Sequence, residues 1–152
     1  MTTLRPARAD DLDRLLEFIR ALYAEDAAIP FVRERVRAAL VRLIGDVSLG
    51  RVWLIEADGA PAGYLVAVWG YSLEWHGRDA FVDELFVDPA YRDRGVGTAA
   101  LRRAEAECRA AGVRALHLEV ERANTRAQGL YRREGYRDHD RYLMTKRLDA
   151  ED

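Results

Sequence analysis

Cysteine is all but missing from this chain of 152 residues: a single one, Cys108, excludes an internal disulfide framework and fits a reducing cytoplasm. Long hydrophobic runs are missing too. No stretch approaches the roughly 18 apolar residues that span a bilayer, and the N-terminus has no apolar signal core, so a soluble, cytoplasmic protein without membrane contact is expected. Neither sign of charge dominates: Lys+Arg number 24 against Asp+Glu 26, a formal net charge of -2, which gives no support to nucleic-acid binding. His117 and His139 have no partner visible in the sequence and no metal-ligand spacing occurs, so no metal is expected. Repeats, low-complexity segments and Gly/Ser/Pro-rich linkers are absent as well, and one domain over 1–152 is the expectation.

What is present is a clear alternation of helix and strand signals. Residues 2–7 read as a strand. Asp10 or Asp11 is placed to cap a helix whose stripe is Leu12, Leu15, Leu16, Ile19, Leu22 and Tyr23, and a second amphipathic helix runs from about Phe31 to Ile44. Arg51 to Ala57 and Ala62 to Tyr71 are strand-like, and Asp58-Gly59 between them signals a hairpin. Ala80 to Asp88 is a third such run. Gly95 to Ala111 is a strong helix, with Cys108 beside Leu101 and Ala104 as a core thiol, closed by Gly112. Ala115 to Glu121 alternates as a strand, Thr125 to Glu134 is a short helix ending at Gly135, and Tyr142 to Leu148 reads as a last strand. The fold class is mixed α/β, a central sheet with helices packed on it.

The chemistry concentrates between Phe81 and Leu101. There an apolar strand runs through Asp88-Pro89-Ala90-Tyr91 into Arg92-Asp93-Arg94-Gly95-Val96-Gly97-Thr98, where a helix begins. Glycines at such a junction let backbone N–H groups approach a ligand. The first amides of a helix lack intrahelical acceptors and carry the positive end of its dipole, which suits a phosphate. Arg92 and Arg94 can add charge-assisted hydrogen bonds. The plainer reading is a strand–helix turn with surface arginines.

Arg92-x-x-Gly95-x-Gly97, after Leu85-Phe86-Val87-Asp88-Pro89-x-Tyr91, resembles the coenzyme A pyrophosphate loop of the GNAT acetyltransferase superfamily. Glu119-Val120-x-x-x-Asn124-x-x-Ala127-x-x-Leu130-Tyr131-x-x-x-Gly135-Tyr136 is similar to that family's second segment, and Leu4-Arg5-Pro6-Ala7 followed by Asp10-Asp11 to its opening. The resemblance implies a mixed, mostly antiparallel sheet of about six to seven strands, helices on both faces, and two splayed parallel central strands holding acetyl-CoA. It implies that the loop from Arg92 through Asp93, Arg94, Gly95, Val96 and Gly97 to Thr98 holds the pyrophosphate. The backbone at Leu85 and Val87 would bond the pantetheine arm as an added strand would. Phe86 to Asp88 and Leu118 to Val120 would line the opening, and Asn124 would contact the cofactor, cap the helix at Thr125, or both. Tyr131 falls where the family protonates the departing thiolate. A phenol with a pKa of about 10 is protonated at neutral pH and can donate to sulfur.

The acceptor implied is an amine. An alkylamine with a pKa of about 10.4 is unprotonated in only about one molecule in 2,500 at pH 7, a deficit of about 4.6 kcal/mol, so a proton acceptor or a water chain is needed. Asp83 and Glu84 are candidates on one strand, Glu119 and Glu121 on another. Simple alternation puts Asp83 with Phe81, Leu85 and Val87, and Glu84 with Val82 and Phe86. Salt bridges to arginine are the competing role for both acids. The run Asp83-Glu84-Leu85-Phe86-Val87, with Tyr91-Arg92 and Tyr131-Arg132-Arg133-x-Gly135, is similar to the spermidine/spermine and thialysine acetyltransferase branch, which favours Glu84 and a small cationic amine such as a polyamine, diamine or lysine-like molecule. Tyr71, Glu74, Trp75 and His76 precede the third strand in a loop that either flanks the acceptor or shields the sheet edge. Acetylation of a protein lysine or N-terminus, and a non-catalytic acyl-CoA-binding module, remain open alternatives. A homodimer formed through the segment around 136–148 is expected by analogy.

Overall fold

The computed structural model describes residues 1–25 and 29–149. Strand β1 (Thr2–Pro6) leads through a 3-10 turn, Ala9–Asp11, into helix α1 (Leu12–Glu25), and helix α2 (Arg33–Gly45) follows. Strands β2 (Gly50–Ala57), β3 (Ala60–Ser72) and β4 (Gly77–Val87) come next. A second 3-10 turn, Pro89–Tyr91, precedes helix α3 (Val96–Ala110), strand β5 (Ala115–Leu118) and helix α4 (Thr125–Arg133). The sheet order is β1-β2-β3-β4-β5, antiparallel throughout except for the parallel pair β4 and β5.

Strand alternation sends successive side chains into two different layers. Val52, Leu54, Tyr64, Val66 and Phe86 pack beneath Leu15, Leu16, Phe18 and Ile19 of α1 and Leu40 of α2. Trp53, Leu65, Ala67 and Val82 face the other way, against Leu101, Ala104 and Cys108 of α3, with Tyr131 of α4 closing that layer. Burial pushes the Cys108 thiol up to about 11, as befits a core side chain. Between β2 and β3, Asp58 and Gly59 have φ of 52° and 81°, the two positive values that a tight hairpin of this twist demands.

The opening of α1 differs in detail from the expected cap. Asp11 is the last residue of the 3-10 turn, and its carboxylate reaches back to the Arg8 N–H at 2.7 Å while accepting the Arg5 guanidinium at 2.8 and 2.9 Å. One buried carboxylate thus ties β1 to the start of α1, and the Arg5 pairing holds its pKa below the ordinary 3.8.

Two expected strand segments are corrected. The strand expected over 115–121 stops at Leu118, because its partner β4 departs from register one residue later. Tyr142 to Leu148 is not a strand: Tyr142, Leu143, Met144 and Leu148 are 85%, 70%, 88% and 90% exposed. Its residues have strand propensity, but a strand exists only against a partner, and none lies beside this segment among the described residues. The sheet therefore has five strands among the described residues, and β5 is an edge rather than a central strand.

Replacing Asp11 by Asn removes an acceptor that serves two donors, and is expected to cost about 2 kcal/mol at neutral pH. Because the folded carboxyl has the depressed pKa, its contribution is fully present above the unfolded value and disappears as pH falls through the folded one. Urea unfolding of both proteins should show their difference shrinking below pH 3.8.

Candidate active site

The site starts from one extra residue. Along β3 and β4, Ala67 lies opposite Val82 and Val66 opposite Glu84, so Asp83 has no partner and the strand bulges there. Alternation is reset across the bulge, which corrects the expected face pattern: Val82 joins Leu85 and Val87 on the α3 side, while Glu84 and Phe86 turn toward α1. Phe81 lies on the α1 side as well, opposite Val68.

The bulge also parts the parallel pair. β4 and β5 stay in register from Asp79 and Ala115 to Val82 and Leu118, and no further. The Asp88 N–H bonds Ala62 O at 2.7 Å, so antiparallel alternation gives Phe86 and Glu84 to β3 as well. Leu85 and Val87 therefore present their N–H and C=O groups to the gap. Phe86 is the exception among the residues expected at the opening. It is 2% exposed, and its ring packs on Phe18 at 5.7 Å and Tyr64 at 6.3 Å in the α1 layer.

Beyond β4, Asp88 caps the 3-10 turn by accepting the Ala90 N–H at 2.9 Å. The chain then bends through Asp93 and Gly95, at φ 65° and 75°, and Gly95 is the N-cap of α3 without a side-chain cap. The Ala99 N–H donates to Gly95 O at 3.0 Å, leaving the amides of Val96, Gly97 and Thr98 ahead of it with no helical acceptor. A β-carbon on Gly97 would rest 3.7 Å from Val87, so what the loop requires of glycine is the left-handed backbone at Gly95. Arg92 is bolted into the protein: its Nε donates to Val87 O at 2.7 Å and its guanidinium pairs with Glu25 at the end of α1 at 2.5 Å. Asp93 pairs with Arg126 of α4, and the Arg94 guanidinium lies 5.8 Å from the Tyr91 ring. Asn124 is the N-cap of α4, accepting the Ala127 N–H at 3.1 Å.

Tyr131 packs with Val82, Leu85 and Leu118 beside the gap and meets Tyr136 edge-on at 6.0 Å. Its hydroxyl has no hydrogen-bond partner among the described residues. Burial raises its pKa, which keeps the proton on oxygen. On the other side of the sheet Glu84 receives two phenols, Tyr23 at 2.5 Å and Tyr64 at 2.6 Å. Burial raises the Glu84 pKa, and the two donors pull it back in part. Asp83 is solvent-accessible on the bulge, bordering a depression of about 90 Å³ with Phe81 and Glu119; partial desolvation by the surrounding protein still raises its pKa.

The sequence reading missed several partners. Tyr23 and Tyr64 come from 61 and 20 residues away in the chain, and neither carries a local signal for Glu84. His117 is not partnerless, for its Nε2 lies 3.0 Å from Asp79 Oδ2. The loop before β4 is shorter than expected, because β3 extends to Ser72 and β4 begins at Gly77; Trp75 in it lies 6.0 Å from the His117 ring.

A model of the acetyltransferase (GNAT) family matches residues 15–136, which include the loop, the bulge and Tyr131. This chain belongs to that family. An uncharacterized N-acetyltransferase of Methanocaldococcus jannaschii is 26% identical over 139 residues, 91% of this chain, which spans only 62% of that relative's length. The thialysine N-epsilon-acetyltransferase of Bos taurus is 27% identical over 143 residues, covering 89% of this chain and 84% of that one. Among solved structures, an integron cassette protein from the mobile metagenome of Cole Harbour Salt Marsh is 34% identical with a TM-score of 0.84, covering 96% of this chain and 90% of its own. The GNAT chain is thus an acetyl-CoA-dependent N-acetyltransferase with the GNAT fold.

The half-buried Glu84 carboxyl gives a stability signature. A carboxyl whose folded pKa is raised contributes stability that is present below its unfolded value and lost as pH rises through the folded one. Wild-type protein should therefore lose stability relative to Glu84→Gln as pH rises from 4.5, the ordinary glutamate value, toward neutrality. Paired urea titrations across that range check the sign.

Proposed function

We propose that this enzyme acetylates a small cationic amine, a polyamine, diamine or lysine-like molecule, by direct attack on acetyl-CoA in a ternary complex. What carries the reading is the parting of β4 and β5 between two unlike surroundings. At one end stand three open helix amides, and on the α1 side lies a sheet surface with Asp83, Glu84 and Glu119 on or beside it. The thialysine enzyme at 27% identity adds support for a lysine-like acceptor.

Acetyl-CoA supplies the acetyl group as a thioester. The residues present fit it: Gly95 turns the chain with nothing within 4 Å of a β-carbon there, and the amides of Val96, Gly97 and Thr98 would bind its diphosphate. Leu85 and Val87 offer main-chain groups to its amide-bearing arm as a neighbouring strand would, although Arg92 already occupies the Val87 carbonyl. Arg92 accordingly braces the loop, Asp93 and Arg94 shape its rim, and Asn124 orders the start of α4 beside it. Tyr131 holds its proton at the phenol oxygen and delivers it to sulfur. Glu84 and Asp83 attract the ammonium, and the phenols of Tyr23 and Tyr64 hold the Glu84 carboxylate in place.

Release of free CoA should be followed against polyamines, lysine analogues, aminoglycosides, amino acids and lysine peptides. Turnover confined to small cationic amines is expected, and turnover of peptides alone would sink the small-amine reading. Tyr131→Phe should lower kcat by about 10²-fold with acetyl-CoA affinity, measured by calorimetry, unchanged.

A second copy packs on the segment around 136–148, where Tyr142, Leu143, Met144 and Leu148 stand exposed. Sedimentation should find a dimer that the double substitution Leu143→Asp, Met144→Asp converts to monomer.

A further inference from the structure

The acceptor side holds a histidine that the reading above leaves idle. His117 lies in β5 opposite Phe81, one pair before the strands part at Val82 and Leu118, so only about 3.3 Å of strand separates it from the gap. Leu116 and Leu118 pack toward α3, so His117 faces the α1 side with Phe81, whose ring centroid is 5.0 Å away and which is 41% exposed. Phe81 and His117 lie outside the apolar cluster formed under α1 and α2.

The imidazole is held rather than merely placed. Asp79 Oδ2 lies 3.0 Å from Nε2, with side-chain exposures of 15% and 21% for the two residues. On β3, the position facing Asp79 is Gly70, where a β-carbon would come within 2.6 Å of the Asp79 carboxylate. Glycine there leaves the space the acid needs. A carboxylate only accepts, so in the neutral ring Nε2 carries the hydrogen and Nδ1 the lone pair. Among the described residues Nδ1 has no partner. Glu119 on β5 and Asp83 at the bulge border the depression beside Phe81, Arg137 and His139 line the groove on the outer side of His117, and Arg114 braces the loop by donating to the Trp75 carbonyl at 3.1 Å.

We propose that His117, oriented by Asp79, is the base that deprotonates the acceptor ammonium. In this step an ammonium N–H bond breaks, its proton passes to Nδ1, and the electron pair stays on the amine nitrogen for attack. The imidazolium later returns the proton to solvent. Glu84, each of whose oxygens already accepts a phenol, supplies negative charge, and Asp79 is the positioning residue. The assignment rests on the small-amine reading.

Its test compares the accepted amine with an analogue fluorinated beside the reacting nitrogen, which is already unprotonated at neutral pH. His117→Ala should lower kcat/KM about 10²-fold for the basic amine and hardly at all for the fluorinated one, with acetyl-CoA binding by calorimetry intact. In the free protein, nitrogen-15 NMR should report hydrogen on Nε2 of His117 and a bare Nδ1, and Asp79→Asn should disturb that tautomer along with kcat. Equal losses for both amines, an undiminished variant, or the opposite tautomer would overturn the assignment and leave the small-amine reading standing. Wild-type protein inert toward every small amine would overturn both.

Discussion

A parallel strand pair stays closed only while both backbones keep step, and at Asp83 one of them does not. The extra residue sits between Val82 and Glu84, and β5 loses its partner at the same level. Past that level Leu85 and Val87 turn main-chain groups toward a gap instead of a neighbour, which the rest of the fold must tolerate. Unpaired backbone polar groups are costly if buried, so such a gap persists only where solvent or a ligand reaches it. The rigid layers on either side, α1 with α2 and α3 with α4, hold it open.

The same insertion decides which chemistry meets which side. By turning Glu84 to the α1 layer it places a carboxylate among Tyr23, Tyr64 and the Phe18–Phe86 aromatic pair, surroundings that penalise its charge. The two phenols offset part of that penalty, and the phenols are themselves pushed far up by burial and by the acid they serve. On the α3 side the bulge leaves Val82, Leu85 and Val87 as an apolar wall against which Tyr131 rests. One lengthened strand thus separates an acidic surface from a neutral one.

Features written in neighbouring residues could be read from the sequence. The Asp58-Gly59 hairpin, the glycine-bearing turn into α3, the cap at Asn124 and the Leu15, Leu16, Ile19 stripe each follow from residues a few positions apart. The face assignment of Glu84 could not, because it depends on how β4 registers against β3, and alternation cannot show an inserted residue. The phenols around Glu84 and the Asp79–His117 contact join distant segments, so no local pattern announces them. Tyr142 to Leu148 failed in the opposite sense: its composition suits a strand, yet pairing is what makes one, and no partner lies beside it among the described residues.

The last turn of α1 touches both halves of the site. Tyr23 donates to Glu84 on one side of the sheet, and Glu25, two residues on, holds the Arg92 that in turn grips Val87 at the gap. A helical turn is stiff over so short a span, so displacing either residue displaces the other. Whatever free energy binding at one half spends on that turn is therefore felt at the other half. Linkage makes any coupling carried by this turn reciprocal: a ligand on one half changes affinity at the other by the same factor that it experiences in return.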